Sequence, residues 1–328
     1  MLIRFFKSSY SGQYFGLLIV LMALWLPVLL QAPQLRQTEM LVPLWDLLVY
    51  FLSSSPLLAA AISFLVIFVS ALILNHTMSS FDLIPKNSLE GAFVFVLISG
   101  TLIPDGWSGP LVYANFFFIL LLNVILKLYE EKEAYRTVFS VGILVSIIFL
   151  FYPPMIYLII PSYFVIVLMG NVRWRELFIP LVGFLLPLIF TLVFYFMIDE
   201  FDYFTGNFLR DFTSFKIIKP AYSISLWALI ALWAIMLMSS LLNILGSISG
   251  KNIDIRKKLT SFVHFLFFAF FIFLFLKNEY HSITMLIAPM SGIVAYYFSW
   301  RKKTIKLEII VWIILAIGLL RNYHLIGF

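Results

Sequence analysis

Acids and bases share the same few polar stretches of this sequence. Glu39, Asp46, Asp105, Asp199, Glu200, Asp202, Asp211 and Glu279 supply carboxylates, and Arg36, Arg210, Lys216, Lys219, Lys277 and Arg321 supply cations. Both kinds are needed for chemistry on a lipid phosphate. A carboxylate takes the proton from an acceptor hydroxyl, and Arg or Lys neutralises the phosphate leaving group. The same residues are also ordinary furniture of loops at a membrane surface. Glu39 and Asp46 stand seven positions apart, so on a helix they share nearly the same face, two turns apart.

Other chemistries are poorly served. The four histidines, His76, His264, His281 and His324, fall at different depths of the chain as mapped below, so no metal site is expected from them. No G-x-x-x-x-G-K-[ST], G-x-S-x-G or H-E-x-x-H occurs, which excludes the familiar ATP-driven and protease signatures. Cysteine is absent, so no disulfide framework or thiolate site exists, and no cofactor is implied. The apolar runs hold few charges, which counts against a proton- or sodium-coupled pump. Asn115, Asn123 and Asn243 are expected to make interhelical hydrogen bonds rather than a polar path.

The elements that must position these groups follow from composition. The chain is 63% hydrophobic and 12% charged, against roughly 25% charge in soluble domains. A surface this apolar needs a bilayer around it. Polar punctuation marks eleven apolar segments, at about 14–31, 56–75, 88–103, 110–127, 137–152, 154–170, 177–198, 223–247, 259–276, 281–299 and 307–322. A spanning helix needs about 20 such residues. With the N-terminus cytoplasmic, sixteen of the 22 Lys and Arg fall on the cytoplasmic side and six on the other, as the positive-inside rule requires. The expected fold is therefore an all-α integral membrane protein of about 11 transmembrane helices in a bacterial inner membrane, with the C-terminus external. The first segment lacks a convincing cleavage site and is read as a retained helix. Residues 1–328 form one polytopic domain with external loops at about 31–56 and 199–222. Within the first loop, "MLVPLWDLLVYFL" is amphipathic enough to lie on the membrane surface. Pro153 and Pro154 are expected at an exposed external hairpin with Tyr152 at headgroup level. The net charge of +6 is explained by basic cytoplasmic loops, and no nucleic-acid motif is present.

The order of features over roughly residues 80–300 resembles the multi-pass glycosyltransferases of the GT-C fold, which use polyprenyl-phosphate sugars. The matching positions are Pro104 and Asp105, Lys132 and Arg136, Gly142, Pro153 and Pro154, Arg173 and Arg175, and later His281 and Pro289. The resemblance implies Glu39 and Asp46 as candidate base and its partner, with Asp105 nearby. It implies Arg210, Lys216 or Lys219 for the lipid phosphate, with His281 at the rim. The acidic pair of that family's first external loop is replaced here by the separated Glu39 and Asp46. The chain also looks like a multi-pass family of Bacteroidota with no assigned activity. Three functions are weighed. The first is a GT-C-like glycosyltransferase, or a degenerate relative, handling a lipid-linked sugar at the external face. The second is a non-catalytic membrane subunit that scaffolds an envelope assembly or export complex, and so has a membrane-protein partner. The third is a lipid or solute transporter.

Overall fold

The computed structural model describes residues 2–8, 11–31, 42–103, 109–130, 134–169, 174–206, 223–247, 250–275, 282–301, 305–323 and 325. Among them the secondary structure is helical throughout. In chain order the helices are α1 (Leu2–Lys7), α2 (Gln13–Gln31), α3 (Pro43–Leu52), α4 (Pro56–Ser80), α5 (Glu90–Leu102), α6 (Pro110–Lys127) and α7 (Tyr135–Phe151). A 3-10 segment, Pro153–Leu158, leads into α8 (Ile159–Met169). Then come α9 (Trp174–Met197), α10 (Ile224–Ser247), α11 (Ile253–Phe275), α12 (Ile287–Trp300) and α13 (Ile305–Asn322), with a short 3-10 segment, Ser282–Leu286, ahead of α12. Proline opens α3, α4, α6 and the Pro153–Leu158 segment. A first-turn N–H has no helical partner, so its loss is free there, and the fixed φ suits a helix start.

Each of the eleven expected segments contains a helix among the described residues. Among the described residues, six stretches are both long and apolar enough to cross a membrane: Pro56–Ser80, Pro110–Lys127, Leu177–Met197, Ile224–Ser247, Ile253–Leu274 and Ile283–Trp300. Shorter apolar helices occupy Gln13–Pro27, Glu90–Leu102, Tyr135–Phe151 and Pro153–Leu168. The helix α13 has 18 residues but carries Lys306, Glu308 and Arg321.

The centre is built on α5 and α12. All of α5 is buried, and so is all of α12 except Trp300. A helix apolar on every side belongs inside a bundle. The two pack on each other, with α2, α4, α10 and α13 around them. At 13 residues, α5 is about 20 Å long, shorter than the ~30 Å hydrocarbon core. Its ends therefore lie inside protein, where the free N–H and C=O groups of a helix terminus must find partners. They do. Asn75 Oδ1 accepts from the Gly91 and Ala92 N–H groups at 3.0 and 3.3 Å, and Asn75 Nδ2 donates to the Ser88 carbonyl. At the other end Arg321 Nη1 donates to the Thr101 carbonyl, and Asn322 Nδ2 donates to those of Gly100 and Leu24, each at 2.9 Å. Trp233 Nε1 donates to the Thr101 hydroxyl at 3.0 Å. A cation at a helix C-terminus and a carboxylate, Glu90, at its N-terminus both complement the macrodipole.

These contacts define two ends of the bundle. The basic end gathers Lys7, which donates to the Ser299 carbonyl at 2.7 Å; Lys258, 3.5 Å from Glu130; and the Tyr129 hydroxyl, which donates to Asp254. Lys251 lies 4.4 Å from the Trp300 ring centroid. The opposite end gathers Ser63 and Tyr113, whose hydroxyls are 3.2 Å apart, and Asn115, which donates to the Thr284 carbonyl. Asn123 donates to Thr77 across α6 and α4. Asn115 and Asn123 thus tie elements together, as the sequence leads one to expect.

Two expectations are corrected. Tyr152, Pro153 and Pro154 are buried rather than exposed at a hairpin. The 3-10 turn they start packs under α7 and α11, and Phe151 stacks on Tyr113 and Phe117, so protein rather than headgroups covers it. The apolar segments also hold more charge than expected. Glu90 is 1% exposed; it accepts from the Ser299 hydroxyl and lies within electrostatic reach of Lys7. Arg321 is buried as the cap described above.

Candidate functional site: carboxylates at the end opposite the basic residues

The amphipathic stretch in the first long loop forms α3, and Asp46 sits in its first turn. Val42 precedes the helix without a side-chain cap of its own. The Asp46 carboxylate supplies one in reverse by accepting the Val42 N–H at 3.1 Å, from one position beyond that of a capping-box acid. Trp45 is fully buried and 5.8 Å from the Tyr113 ring. It pins α3 to the bundle while Leu47, Tyr50 and Phe51 stay exposed. One side of α3 is thus packed on protein and the other left open. Asp46 is half-buried, and burial pushes its carboxyl above the usual carboxylate range, the Val42 hydrogen bond pulling the other way. Desolvation favours the neutral form of a carboxyl, which is what raises Asp46 here.

A second acidic stretch follows α9. The chain turns sharply after α9 at Asp199, whose φ is 59°, a left-handed conformation that Asp tolerates better than most residues. Glu200 N donates back to the Tyr195 carbonyl at 3.0 Å, and Phe204 stacks on the Tyr195 ring at 4.4 Å. The turn folds onto the end of α9, so the carboxylates of Asp46 and Glu200 both lie within electrostatic reach of the Tyr195 hydroxyl. Acids from the two long loops, more than 150 positions apart in sequence, thus act on one aromatic hydroxyl. Tyr195 and Glu200 were not singled out as a pair in the sequence. The signal was available in the run "YFMIDEFDYF", where aromatic and acidic residues alternate at the close of an apolar segment.

Of the sequence-based candidates, Asp46 is thus placed. Glu39, Asp105, Arg210, Lys216, Lys219 and His281 lie outside the described residues, as do Pro104, Lys132 and Arg173. Gly142 lies at the crossing of α7 and α9. Among the described residues no three His, Asp or Glu side chains group to hold a metal ion. His264 is bound through Nδ1 to the Thr260 carbonyl at 2.7 Å and lies against the Phe164 ring, which is a structural role.

No curated protein and no solved structure matches the chain. Residues 39–326, from the first long loop through the last helix, match a protein family. An all-helical chain with several membrane-length apolar helices, it belongs to the family of unknown function DUF6427.

Proposed function

We propose that this is a polytopic membrane protein of about eleven spans in a bacterial inner membrane, with the basic end cytoplasmic. In this reading it handles a lipid-linked sugar at the opposite, external end as a GT-C-like glycosyltransferase or a degenerate relative. The observation that carries the reading is that Asp46, in the first turn of α3, and Glu200, after α9, both lie within electrostatic reach of the Tyr195 hydroxyl. A half-buried carboxyl at the lipid boundary is suited to take a proton from an acceptor hydroxyl. The cations Arg210, Lys216 and Lys219 follow this acidic turn closely in sequence and supply the positive charge for the phosphate. The positive charge concentrated at the other end supports the orientation.

The test uses the full chain in nanodiscs with radiolabelled polyprenyl-phosphate sugars. Turnover of the lipid-linked sugar is expected in the wild type, with a loss of about 10²–10⁴-fold in Asp46→Asn, the usual effect of removing a general base. Wild-type turnover in both Asp46→Asn and Glu200→Gln would end the assignment. A wild type inert toward such lipids would favour the second reading, a non-catalytic membrane subunit with a protein partner. That reading is supported by the filled centre around α5 and α12 and by the Leu177–Met197 stretch of α9, of which only 17% is buried.

A further inference from the structure

At the basic end, about 630 Å³ of open space lies between the start of α2, the last turns of α4 and the segment leading into α5. That volume is in the range of small-molecule sites, about 300–1,000 Å³. Part of its wall is fixed. Asn75 is held by the α5 cap, and Gln13 donates to the Phe5 carbonyl at 2.7 Å. Other lining groups keep spare hydrogen-bonding capacity. The His76 ring and the Asn87 amide have no partner among the described residues, and both residues are exposed. The Lys86 amine has Asp82 at 3.7 Å, with the two side chains 74% and 70% exposed. An exposed pair of that kind holds weakly, so a better anion displaces it. The first turn of α2, a 19-residue helix, also lines the space through Gln13 and Tyr14 and adds the positive field of a helix start.

From this geometry we infer that the cavity binds the phosphodiester headgroup of an anionic phospholipid, with Lys86, His76 and Asn87 as donors to the phosphate. The lipid source follows from position. His76 lies in the closing turns of α4, a 25-residue apolar helix, so it stands at headgroup depth if that helix crosses the bilayer. At the rim, Tyr14 is 55% and its neighbour Phe15 69% exposed, which gives an acyl chain an aromatic surface beside the polar space. Basic side chains at this end also match the negative potential of a cytoplasmic leaflet. The inference requires a membrane and makes no use of Asp46, so it stands or falls separately from the glycosyltransferase reading.

The test is native mass spectrometry of the delipidated full chain with phosphatidylglycerol or phosphatidylcholine added. The wild type is expected to retain phosphatidylglycerol about tenfold more strongly, the scale of one charge-assisted hydrogen bond. Combining His76→Gln with Lys86→Gln should remove the preference, Lys86→Arg should keep most of it, and Asn87→Trp, which fills the mouth, should lower binding of phosphatidylglycerol. All three positions are exposed, and an unchanged melting profile verifies the fold of each variant. Equal retention of the two lipids by the wild type would overturn the inference. So would full preference in the double variant. Displacement of phosphatidylglycerol by millimolar inorganic phosphate would assign the site to a soluble phosphate compound and overturn the lipid assignment.

Discussion

The crossing of α7 and α9 allows one perturbation to be worked through in atomic terms. A Cβ at Gly142 would stand 2.0 Å from the Pro180 carbonyl oxygen and 2.8 Å from the Phe184 nitrogen, and one at Gly183 would stand 2.4 Å from the Phe139 carbonyl oxygen. Real Cβ contacts essentially never fall below 3.0 Å. In Gly142→Ala the two backbones must therefore part by about 1 Å, the difference between 3.0 and 2.0 Å, because carbonyl oxygens cannot rotate away as side-chain atoms do. A radial gap of about 0.5–1 Å forfeits a quarter to a half of each dispersion contact along the seam. Overpacking of this kind costs about 1–3 kcal/mol, and backbone obstruction puts Gly142→Ala at the upper end. Membrane helices rely on such close approach because lipid offers no hydrophobic drive to pair them, and α9 meets the bundle chiefly through α7. Thermal melting in detergent, followed by tryptophan fluorescence, should show a clear drop for Gly142→Ala and for Gly183→Ala. Their combination should cost less than the sum, since the first methyl already opens the gap. Gly246→Ala is the control, with nothing within 4 Å of its added Cβ. It should be neutral or raise stability by up to about 1 kcal/mol. A Gly142→Ala protein that melts with the wild type would refute the close crossing.

Two further outcomes are expected from the same geometry. Asn75→Ala strips the Gly91 and Ala92 N–H groups of their acceptor, and Arg321→Leu strips the Thr101 carbonyl of its donor. Each should lower stability by about 1–3 kcal/mol, the cost of an unsatisfied buried polar group; a melting profile like the wild type's in either variant would deny that α5 needs its caps. For orientation, the chain has no cysteine, so Lys86→Cys and Asp199→Cys are clean single probes at exposed positions. An impermeant maleimide should reach position 199 in intact cells and position 86 only after permeabilisation, and labelling of both from one side would break the proposed topology.

The helices were legible because apolar runs of this length leave the chain few alternatives. The helix α3 was legible from its alternation of apolar and polar faces, and the interhelical roles of Asn115 and Asn123 from their positions inside apolar runs. What could not be read was pairing at a distance. Arg321 caps a helix 220 residues earlier in the chain, and local polarity marks it only as a charge at a segment's end. Glu90 reads as punctuation before an apolar run for the same reason, though it is buried against Ser299. Tyr152, Pro153 and Pro154 carry the residue types of an exposed turn, and only the packing of α11 over them decides otherwise. In the candidate site, Asp46 is named by the family resemblance, as an acid of the first long loop. That Asp46 and Glu200 both lie within electrostatic reach of Tyr195 depends on how the chain turns after α9, which spacing alone does not fix.

The way α5 is held bears on where function can reside. A short helix buried on every side, with Asn75 at one end and Arg321 and Asn322 at the other, has no solvent-facing register into which to slide. Moving it along its axis would break the capping bonds at both ends together, and each bond so lost leaves a buried polar group unpaired at about 1–3 kcal/mol. Packed cores also resist continuous deformation. A mechanism that alternates access through the middle of the bundle would have to pass through that state. Chemistry or binding at either end needs no such movement. Polar groups with spare capacity are indeed found at the ends, with Asp46 and Glu200 at one and His76, Lys86 and Asn87 at the other. The fixed centre therefore leaves the two ends, rather than a path through the core, as the places where the proposed chemistry and lipid binding would act.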